Sequence, residues 1–315
     1  MTTTWLTSTL GLDVPLVQAP MARVSEGEMA GAVSAAGALG MIGVTPGQSP
    51  AYIVEQAELA ASGAAGKPYG IGLLAWALDG DAILEAVLDT DVRVVALSFG
   101  PYEHLVDRVK GSGKLVTTQV GNLEEARRAE LAGVDFIVAR GGEGGGHGRN
   151  DLGTLALLEI VLDSVEIPVV AAGGIATARG LAAVLAAGTV GAWVGTAFLG
   201  CRESVYPVAS RQRLLDATDT ATAYGRVFDV AQRAAWPPEY GGRALRNAYF
   251  DEWVGREAEL AQDPEAMEKY AAAAREDDFD TAVIYAGEGV SLLSAETTAA
   301  DVVAAFARGL PGDAT

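Results

Sequence analysis

Eight short apolar runs recur along the first part of the chain, and their spacing restricts the fold more than any other feature. The runs are continuous rather than alternating, a pattern typical of strands buried on both faces of a parallel sheet. Alanine-rich helical segments separate them, so that one strand and helix together take about 25 residues, as in α/β barrels. The predicted strands span residues 15–19, 40–44, 69–73, 93–97, 114–119, 135–140, 168–172 and 191–196.

This count and spacing predict a (β/α)8 barrel, or TIM barrel, rather than an open doubly wound sheet. The length of 315 residues fits one such barrel with an insertion. After residue 201 charged and aromatic residues become frequent and the periodicity turns helical. We therefore expect a barrel over 1–201, a helical lid or substrate-binding insertion after strand 8 over 202–280, and a return segment with the closing barrel helix over 281–315.

Composition limits the partners of the protein. A net charge of −19 argues against nucleic acid and against an anionic membrane surface, because phosphates bind to basic patches. The N-terminus lacks the pattern of a signal peptide, and no apolar stretch reaches membrane-spanning length without glycine or charge. We expect a cytoplasmic protein with a small-molecule substrate and with a homodimer as the candidate assembly.

Several kinds of site are excluded or disfavoured by the residues present. Two histidines and one cysteine are too few for most zinc sites, so we predict no metal. The apolar neighbours of Cys201 favour a packed thiol over a nucleophile. There is no P-loop motif, and the first predicted strand leads into APMARVSEGE rather than a dinucleotide-binding glycine motif.

The segment ARGGEGGGHGRND, residues 139–151, follows the sixth predicted strand and is dominated by glycine. Catalytic groups in barrels collect at the carboxyl ends of the strands, where this segment begins. Imidazole exchanges a proton near neutral pH, and the glycines around His147 have no side chains to block a ligand. We predict that His147 is a catalytic acid or base. Glu143 has two open interpretations, as a partner that orients His147 or as a solvent-facing side chain.

Glycines also follow the seventh and eighth predicted strands, as Gly173-Gly174 and as Gly195 with Thr196. Glycine lets backbone amides approach an anion, a helix N-terminus adds positive potential, and the threonine hydroxyl adds a donor. The loops after strands 7 and 8 of a barrel are a frequent phosphate site. The alternative is a pair of ordinary tight turns. We favour a phosphate-bearing ligand at these two loops.

Three motifs, in this order along the chain, resemble the nitronate monooxygenase family, also called the 2-nitropropane dioxygenase-like family. They are VPLVQAPMARVS with GAVSAAGALGMIG, GGEGGGHGR, and VVAAGGIATARGLAAVLAAGTVGAWVGTAFL. The segments TAYGRVFDVAQRAAWPPEYGGRALRN and VIYAGEGVSLL resemble the lid and return segment of that family. The resemblance covers nearly the whole chain. Flavin-dependent enoyl-acyl-carrier reductases and NADH:quinone reductases share the barrel and much of this motif set.

The resemblance implies a TIM barrel that binds FMN without a covalent bond, which makes residues 1–201 an FMN-binding domain. The implied activity is oxidation of alkyl nitronates with O2, and the alternative is an FMN-dependent NAD(P)H:quinone or enoyl-thioester reductase. His147 matches the catalytic histidine of the family. The cofactor contacts implied for this chain are Ala19, Pro20 and Met21 against the isoalloxazine, Gln119 and Gly146 beside it, and Gly173, Gly174, Gly195 and Thr196 around the phosphate.

Two positions depart from the usual pattern of the family. In members of the family the segment that ends at the catalytic histidine usually reads E-A-G-G-H. This chain has glycine in place of the alanine, at position 144. Arg23 stands where a small residue is common, which affects the shape of the substrate pocket. The aromatic residues of the insertion are candidates for a lid that excludes water, with ordinary helix packing as the alternative: Trp236, Tyr240, Tyr249, Phe250 and Trp253.

Overall fold

A computed structural model of the chain, which describes residues 2–310, contains one sheet of eight parallel strands. The strands follow one another around the sheet in chain order, and a parallel bridge between Val17 and Leu39 joins the first to the second. Its strands are β1 (Leu16–Gln18), β2 (Gly40–Gly43), β3 (Tyr69–Leu74), β4 (Val94–Ser98), β5 (Leu115–Val120) and β6 (Phe136–Arg140), followed, after a short β7 (Gly146–Gly148) that lies outside the barrel, by β8 (Val169–Ala172) and β9 (Gly191–Val194).

The predicted TIM barrel is therefore confirmed, and each strand lies within about two residues of its predicted bounds, the usual uncertainty of element ends. Helices α1 to α8 are Trp5–Leu10, Gly27–Ala35, Pro50–Gly63, Ala82–Leu88, Val106–Gly111, Leu123–Leu131, Thr154–Leu162 and Ala178–Ala186. All but α1 follow a barrel strand and lie outside the sheet. Asn122 caps α6, since its side chain accepts a hydrogen bond from the amide of Glu125 at 2.8 Å.

Side chains alternate between two apolar layers along the strands, because successive residues of a strand point to opposite faces. Val94 and Ala96 of β4 belong to the cluster inside the barrel, whereas Val95 and Leu97 belong to the cluster between strands and helices. Leu6 of α1 packs with the inner cluster and is fully buried. Both faces of the strands are thus largely apolar, which explains the continuous apolar runs in the sequence.

The predicted insertion follows β9, and it contains two strands in addition to helices. Its elements are α9 (Val208–Leu215), β10 (Thr222–Gly225), α10 (Val227–Ala231), β11 (Gly241–Leu245), α11 (Ala248–Trp253), α12 (Glu257–Leu260) and α13 (Pro264–Arg275). The chain then returns to the barrel, where α14 (Ala299–Ala307) packs between α8 and α2 and completes the ring of helices.

The insertion pairs directly with the glycine-rich segment after β6. Strands β10, β11 and β7 form an antiparallel sheet in which Gly242 lies opposite His147. The position of His147 is therefore fixed by backbone pairing with the insertion as well as by the barrel. Within residues 2–310, none of the helices has the length and apolar character needed to cross a membrane.

Candidate active site

A cavity of about 1010 Å³ lies at the carboxyl ends of the barrel strands, beneath the insertion. Its walls bring together residues from all eight barrel strands or the loops that follow them, and from the insertion. Every residue that the sequence places at the cofactor or catalytic site lines this cavity: Ala19, Pro20, Met21, Gln119, Gly146, His147, Gly173, Gly174, Gly195 and Thr196.

The segment that follows β1 packs closely against the backbone of glycine residues in β2 and β3. A Cβ atom at Gly72 would lie 2.4 Å from Cγ of Pro20, and one at Gly43 would lie 2.3 Å from the carbonyl carbon of Met21. The amide of Met21 also donates to Oγ of Ser25 at 2.8 Å. Glycine in β2 and β3 is thus a steric requirement for the floor of the cavity.

The turns after β8 and β9 present free amides to the cavity. Gly173 and Gly174 have φ angles of +105° and +68°, in the left-handed region that favours glycine. The amides of Gly173, Gly174 and Gly195 donate no hydrogen bond to any group within residues 2–310. Oγ1 of Thr196 accepts a hydrogen bond from the amide of Gly287 at 2.9 Å, which leaves its proton available to a ligand. These groups are suited to hold an anion.

A buried guanidinium organises the glycine-rich segment. Arg140 ends β6, and its Nη2 donates to the carbonyl oxygens of Gly144, Gly145 and Gly146 at 2.6, 3.1 and 3.0 Å. Burial lowers the pKa of Arg140 to about 10, so that the group stays charged at neutral pH. The sequence interpretation missed Arg140. The available signal was an arginine at the end of an apolar strand, where a charge needs buried partners.

The contacts with Arg140 explain why the segment after β6 is rich in glycine. Close approach of the segment to a ligand would not by itself explain it. A Cβ atom at Gly148 would lie 2.1 Å from Nη1 of Arg140, and one at Gly144 would lie 2.9 Å from its Nε. The segment wraps around the guanidinium with its carbonyl groups pointing inward, and side chains at these positions would collide with the cation. Glycine at position 144 fits this contact.

His147 is held by an acid of the insertion. Its Nε2 lies 2.7 Å from Oδ1 of Asp229 in α10, and the two side chains are 8% and 2% exposed. With the carboxylate ionised, Nε2 donates to Asp229 and Nδ1 is the ring atom left for a ligand. Asp229 was also missed from the sequence. An acid inside the apolar run VFDVA is the signal that could have found it, because a buried carboxylate requires a partner.

Aromatic side chains cover the imidazole. The indole of Trp236 stacks on His147 with ring centroids 3.6 Å apart and planes 5° apart, and Tyr285 lies 5.1 Å away. Burial raises the pKa of the Tyr285 phenol well above its usual value, so that this group stays protonated. The ring of His147 is thus shielded from water on the side of the insertion.

The structure separates the five aromatic candidates for a lid. Only Trp236 lines the cavity. Tyr249, Phe250 and Trp253 are buried in the apolar core of the insertion, where they pack on α10 and α13. The hydroxyl of Tyr240 donates to Oε1 of Glu125 at 3.0 Å. Helix packing, the alternative interpretation, therefore describes the three core residues.

The structure supports neither interpretation of Glu143, because its carboxylate binds the start of a helix. Its carboxylate accepts hydrogen bonds from the amide of Thr154 at 2.9 Å and from its hydroxyl at 2.8 Å. Thr154 is the first residue of α7, so the acid stabilises a helix N-terminus rather than orienting His147. Within residues 2–310, no group of three histidine, cysteine, aspartate or glutamate side chains is placed to hold a metal ion.

The fold and the site define a (β/α)8 barrel with a large cavity between the strand ends and an insertion. Comparison with known proteins gives its family. The model of the nitronate monooxygenase family matches residues 79–309 of this chain. The chain belongs to this family of flavin-dependent oxidoreductases.

Individual relatives agree with this assignment. A nitronate monooxygenase of Paraburkholderia phytofirmans is 32% identical, in an alignment that covers 85% of this chain and 93% of the relative. The nitroalkane oxidase of Streptomyces ansochromogenes is 30% identical with a TM-score of 0.83, covering 97% of both chains. FabK from Thermotoga maritima is 26% identical with a TM-score of 0.85, covering 98% of this chain and 96% of its own.

A further relative has a different name. It is the (3aS,4S,5R,7aS)-5-hydroxy-7a-methyl-1-oxo-octahydro-1H-indene-4-carboxyl-CoA dehydrogenase of Rhodococcus jostii, 34% identical over 213 residues. That alignment covers 67% of this chain and 59% of the relative, so the present chain matches little more than half of the dehydrogenase. The relatives of this chain thus carry the names of more than one reaction.

Proposed function

We propose that this protein uses FMN to oxidise alkyl nitronates with O2, and that His147 is the catalytic acid and base. The observation that carries the proposal is the shared cavity: the imidazole fixed by Asp229 lines the same space as the free amides of Gly173, Gly174 and Gly195. Membership of the nitronate monooxygenase family supports it.

The cavity fits a flavin mononucleotide. Its volume of about 1010 Å³ stands at the upper end of the roughly 300–1,000 Å³ usual for ligand pockets, which leaves room for a cofactor and a small substrate. The free amides after β8 and β9, with Thr196, would hold the phosphate. Ala19, Pro20 and Met21 would lie against the isoalloxazine, with Gln119 and Gly146 at its edge. Bound FMN supplies the electron transfer from the nitronate to O2.

The protein supplies proton transfer and electrostatic stabilisation. Nδ1 of His147 is the atom available to the substrate, because Nε2 is engaged by Asp229. As imidazolium, His147 stabilises the negative charge of the nitronate, and as a neutral base it removes the α-proton of a nitroalkane. Trp236 and Tyr285 exclude water from the ring, which strengthens these interactions.

His147→Ala tests the catalytic role. We expect the anaerobic rate of flavin reduction by nitroethane and by propionate 3-nitronate to fall about 10²-fold to 10⁴-fold, the usual contribution of a general acid or base. His104→Ala is the matched control, because His104 is the other histidine of the chain and lies exposed outside the cavity. A wild-type rate in the His147 variant would show that its assigned role is wrong.

Gly174→Asp tests the phosphate site. The new carboxylate would stand beside the free amides and repel an anion, so the purified variant should contain far less FMN than the wild type. Gly80→Asp is the control, since Gly80 has a similar left-handed φ of +73° but does not line the cavity. Wild-type FMN content in the Gly174 variant would refute the placement of the phosphate.

A second candidate function is reduction of a quinone or an enoyl thioester by NAD(P)H. The likeness to FabK and the relative named as a CoA-thioester dehydrogenase favour it. The two functions differ in what consumes the electrons. Oxygen consumption with added nitronate supports the first, and NAD(P)H oxidation that requires a quinone or enoyl thioester supports the second.

A further inference from the structure

A second polar side chain lies beside His147 in the cavity. Tyr285 belongs to the segment that returns from the insertion to the barrel, and it lines the same cavity as His147. The centroids of the two rings are 5.1 Å apart, and their planes are inclined by 53°. A ligand that contacts the imidazole is therefore within reach of the phenol as well.

Backbone pairing and a glycine fix the place of Tyr285. Its backbone forms an antiparallel bridge with Ala244 of β11. In the same strand, a Cβ atom at Gly242 would lie 2.8 Å from Cε1 of Tyr285 and 3.4 Å from Nε2 of His147. Both rings thus pack over one residue that has no side chain, and the phenol could not keep this place beside the imidazole if Gly242 carried one.

A hydrogen bond from Gln232 sets the direction of the phenolic proton. Nε2 of Gln232 lies 3.0 Å from the carbonyl oxygen of Phe228. Because a carbonyl oxygen can only accept, this contact fixes which end of the side-chain amide is the nitrogen. The same Nε2 donates to the phenolic oxygen of Tyr285 at 3.5 Å, in a long hydrogen bond. The phenolic oxygen is the acceptor there, so its own proton is directed elsewhere.

The phenolic proton is free for a ligand. Within residues 2–310, the hydrogen bond accepted from Gln232 is the only one that the Tyr285 hydroxyl makes. Burial, and after it the negative charge of Asp229, raises the pKa of this phenol well above its usual value, so that the hydroxyl remains a donor at neutral pH. A buried donor without an acceptor is unfavourable, and a ligand oxygen in the cavity would supply the acceptor.

Helix α10 orients both the imidazole and the phenol. Asp229 in this helix binds Nε2 of His147, and Gln232 at its C-terminal end binds the hydroxyl of Tyr285. Asp229 and Gln232 are three residues apart and so share one face of the helix. The insertion therefore leaves two groups available to a ligand, Nδ1 of the imidazole and the O–H of the phenol.

We propose that Tyr285 is a second catalytic residue, whose hydroxyl donates a hydrogen bond to an oxygen of the substrate group on which His147 acts. A nitronate shares its negative charge between two oxygens, so the imidazole and the phenol can each bind one of them. The inference rests on the proposed function in placing the reacting group beside His147. It makes Gln232 a positioning residue, which acts through the hydroxyl of Tyr285.

Binding of propionate to the flavin-loaded protein tests this contact. Propionate resembles ethyl nitronate in shape and charge but carries no nitro group to be oxidised, and the change in flavin absorbance during a titration gives its Kd. Tyr285→Phe removes the hydroxyl and keeps the ring. We expect the Kd of propionate to rise about 10-fold to 100-fold in this variant, as for the loss of a hydrogen bond to a charged group.

Tyr52→Phe is the matched control, because the hydroxyl of Tyr52 binds Glu26 at 2.5 Å and the residue lies outside the cavity lining. It should keep the wild-type Kd, and thermal unfolding verifies that the variants fold. A wild-type Kd in Tyr285→Phe would overturn the proposal. So would a loss of FMN in place of a loss of propionate affinity, which would assign Tyr285 to the cofactor.

Gln232→Leu tests the positioning role. We expect the Kd of propionate to rise about 2-fold to 10-fold, the net contribution of a neutral hydrogen bond. Adding Gln232→Leu to Tyr285→Phe should raise the Kd no further, because Gln232 acts through the hydroxyl that is already absent. Additive effects of the two substitutions would contradict this route. Since propionate is not oxidised, failure of nitronate turnover would leave the binding results intact.

Discussion

At the scale of single residues, the orientation of His147 depends on Asp229. The carboxylate is 2% exposed. Its Oδ2 has no hydrogen-bond partner within residues 2–310 and lies 3.8 Å from Nε of Arg226, so the shorter polar contact is the one between Oδ1 and the imidazole. Removing the charge while keeping the shape should weaken the preference for the Nε2–H form of the ring, since the carboxylate is what selects it.

We therefore expect Asp229→Asn to lower the rate of flavin reduction about 10-fold to 100-fold, as usual for a group that orients a functional histidine. The ¹⁵N NMR shifts of the His147 ring should show protonated Nε2 in the wild type and a mixture of tautomers in the variant. Asp251→Asn is the control, because Asp251 is a surface acid paired with Arg246. A ring tautomer unchanged by Asp229→Asn would contradict the role of Asp229.

The single cysteine gives a second prediction at this scale. Burial raises the pKa of the Cys201 thiol from its ordinary value near 9.0 to about 12. Between these values the unfolded thiol ionises while the folded one does not, so this group favours the folded state below about pH 9 and its contribution is lost as pH rises further. At pH 8 the folded protein should not react with a disulfide reagent, and one thiol should react after denaturation. Rapid reaction in the native state would contradict the assignment as a packed thiol.

At the scale of elements, the cavity floor depends on glycine in the strands beneath it. Gly72→Ala would drive a methyl group into Pro20, so we expect a loss of about 1–3 kcal/mol in unfolding free energy, typical of overpacking, together with reduced FMN content. Gly111→Ala is the control, because a Cβ there meets no atom within 4 Å. Denaturant titration and flavin absorbance measure both effects. Wild-type stability and FMN content in the Gly72 variant would contradict the steric account.

The elements of the barrel could be predicted from the sequence, whereas contacts between distant elements could not. The barrel strands were predictable because burial on both faces leaves a local apolar run. The residues that line the cavity were predictable because they directly follow the carboxyl ends of those strands. The His147–Asp229 contact was not predictable, because it joins residues 82 apart through the pairing of β7 with β11. The purpose of the glycines was likewise hidden, since nothing local shows that Arg140 turns back beneath its own loop.

At the scale of the whole molecule, backbone pairing and side-chain hydrogen bonds join the insertion to the barrel beside the site. Strand β7 pairs with β11, Tyr240 donates to Glu125 of α6, and Nε of Arg243 donates to the carbonyl of Gly142 at 2.8 Å. We propose that residues 202–280 unfold together with the barrel, although they have their own apolar core. Differential scanning calorimetry should show one transition with equal calorimetric and van't Hoff enthalpies. Two separated transitions would show an independent unit.

The central claim is that one cavity holds FMN with its phosphate on the turns after β8 and β9 and its ring system beside His147. A crystal structure of the flavin-loaded protein tests this most directly. We expect phosphate oxygens about 3 Å from the amides of Gly174 and Gly195, and Nδ1 of His147 facing the space above the isoalloxazine. A phosphate bound elsewhere with these turns empty, or an imidazole directed away from the flavin, would contradict the account.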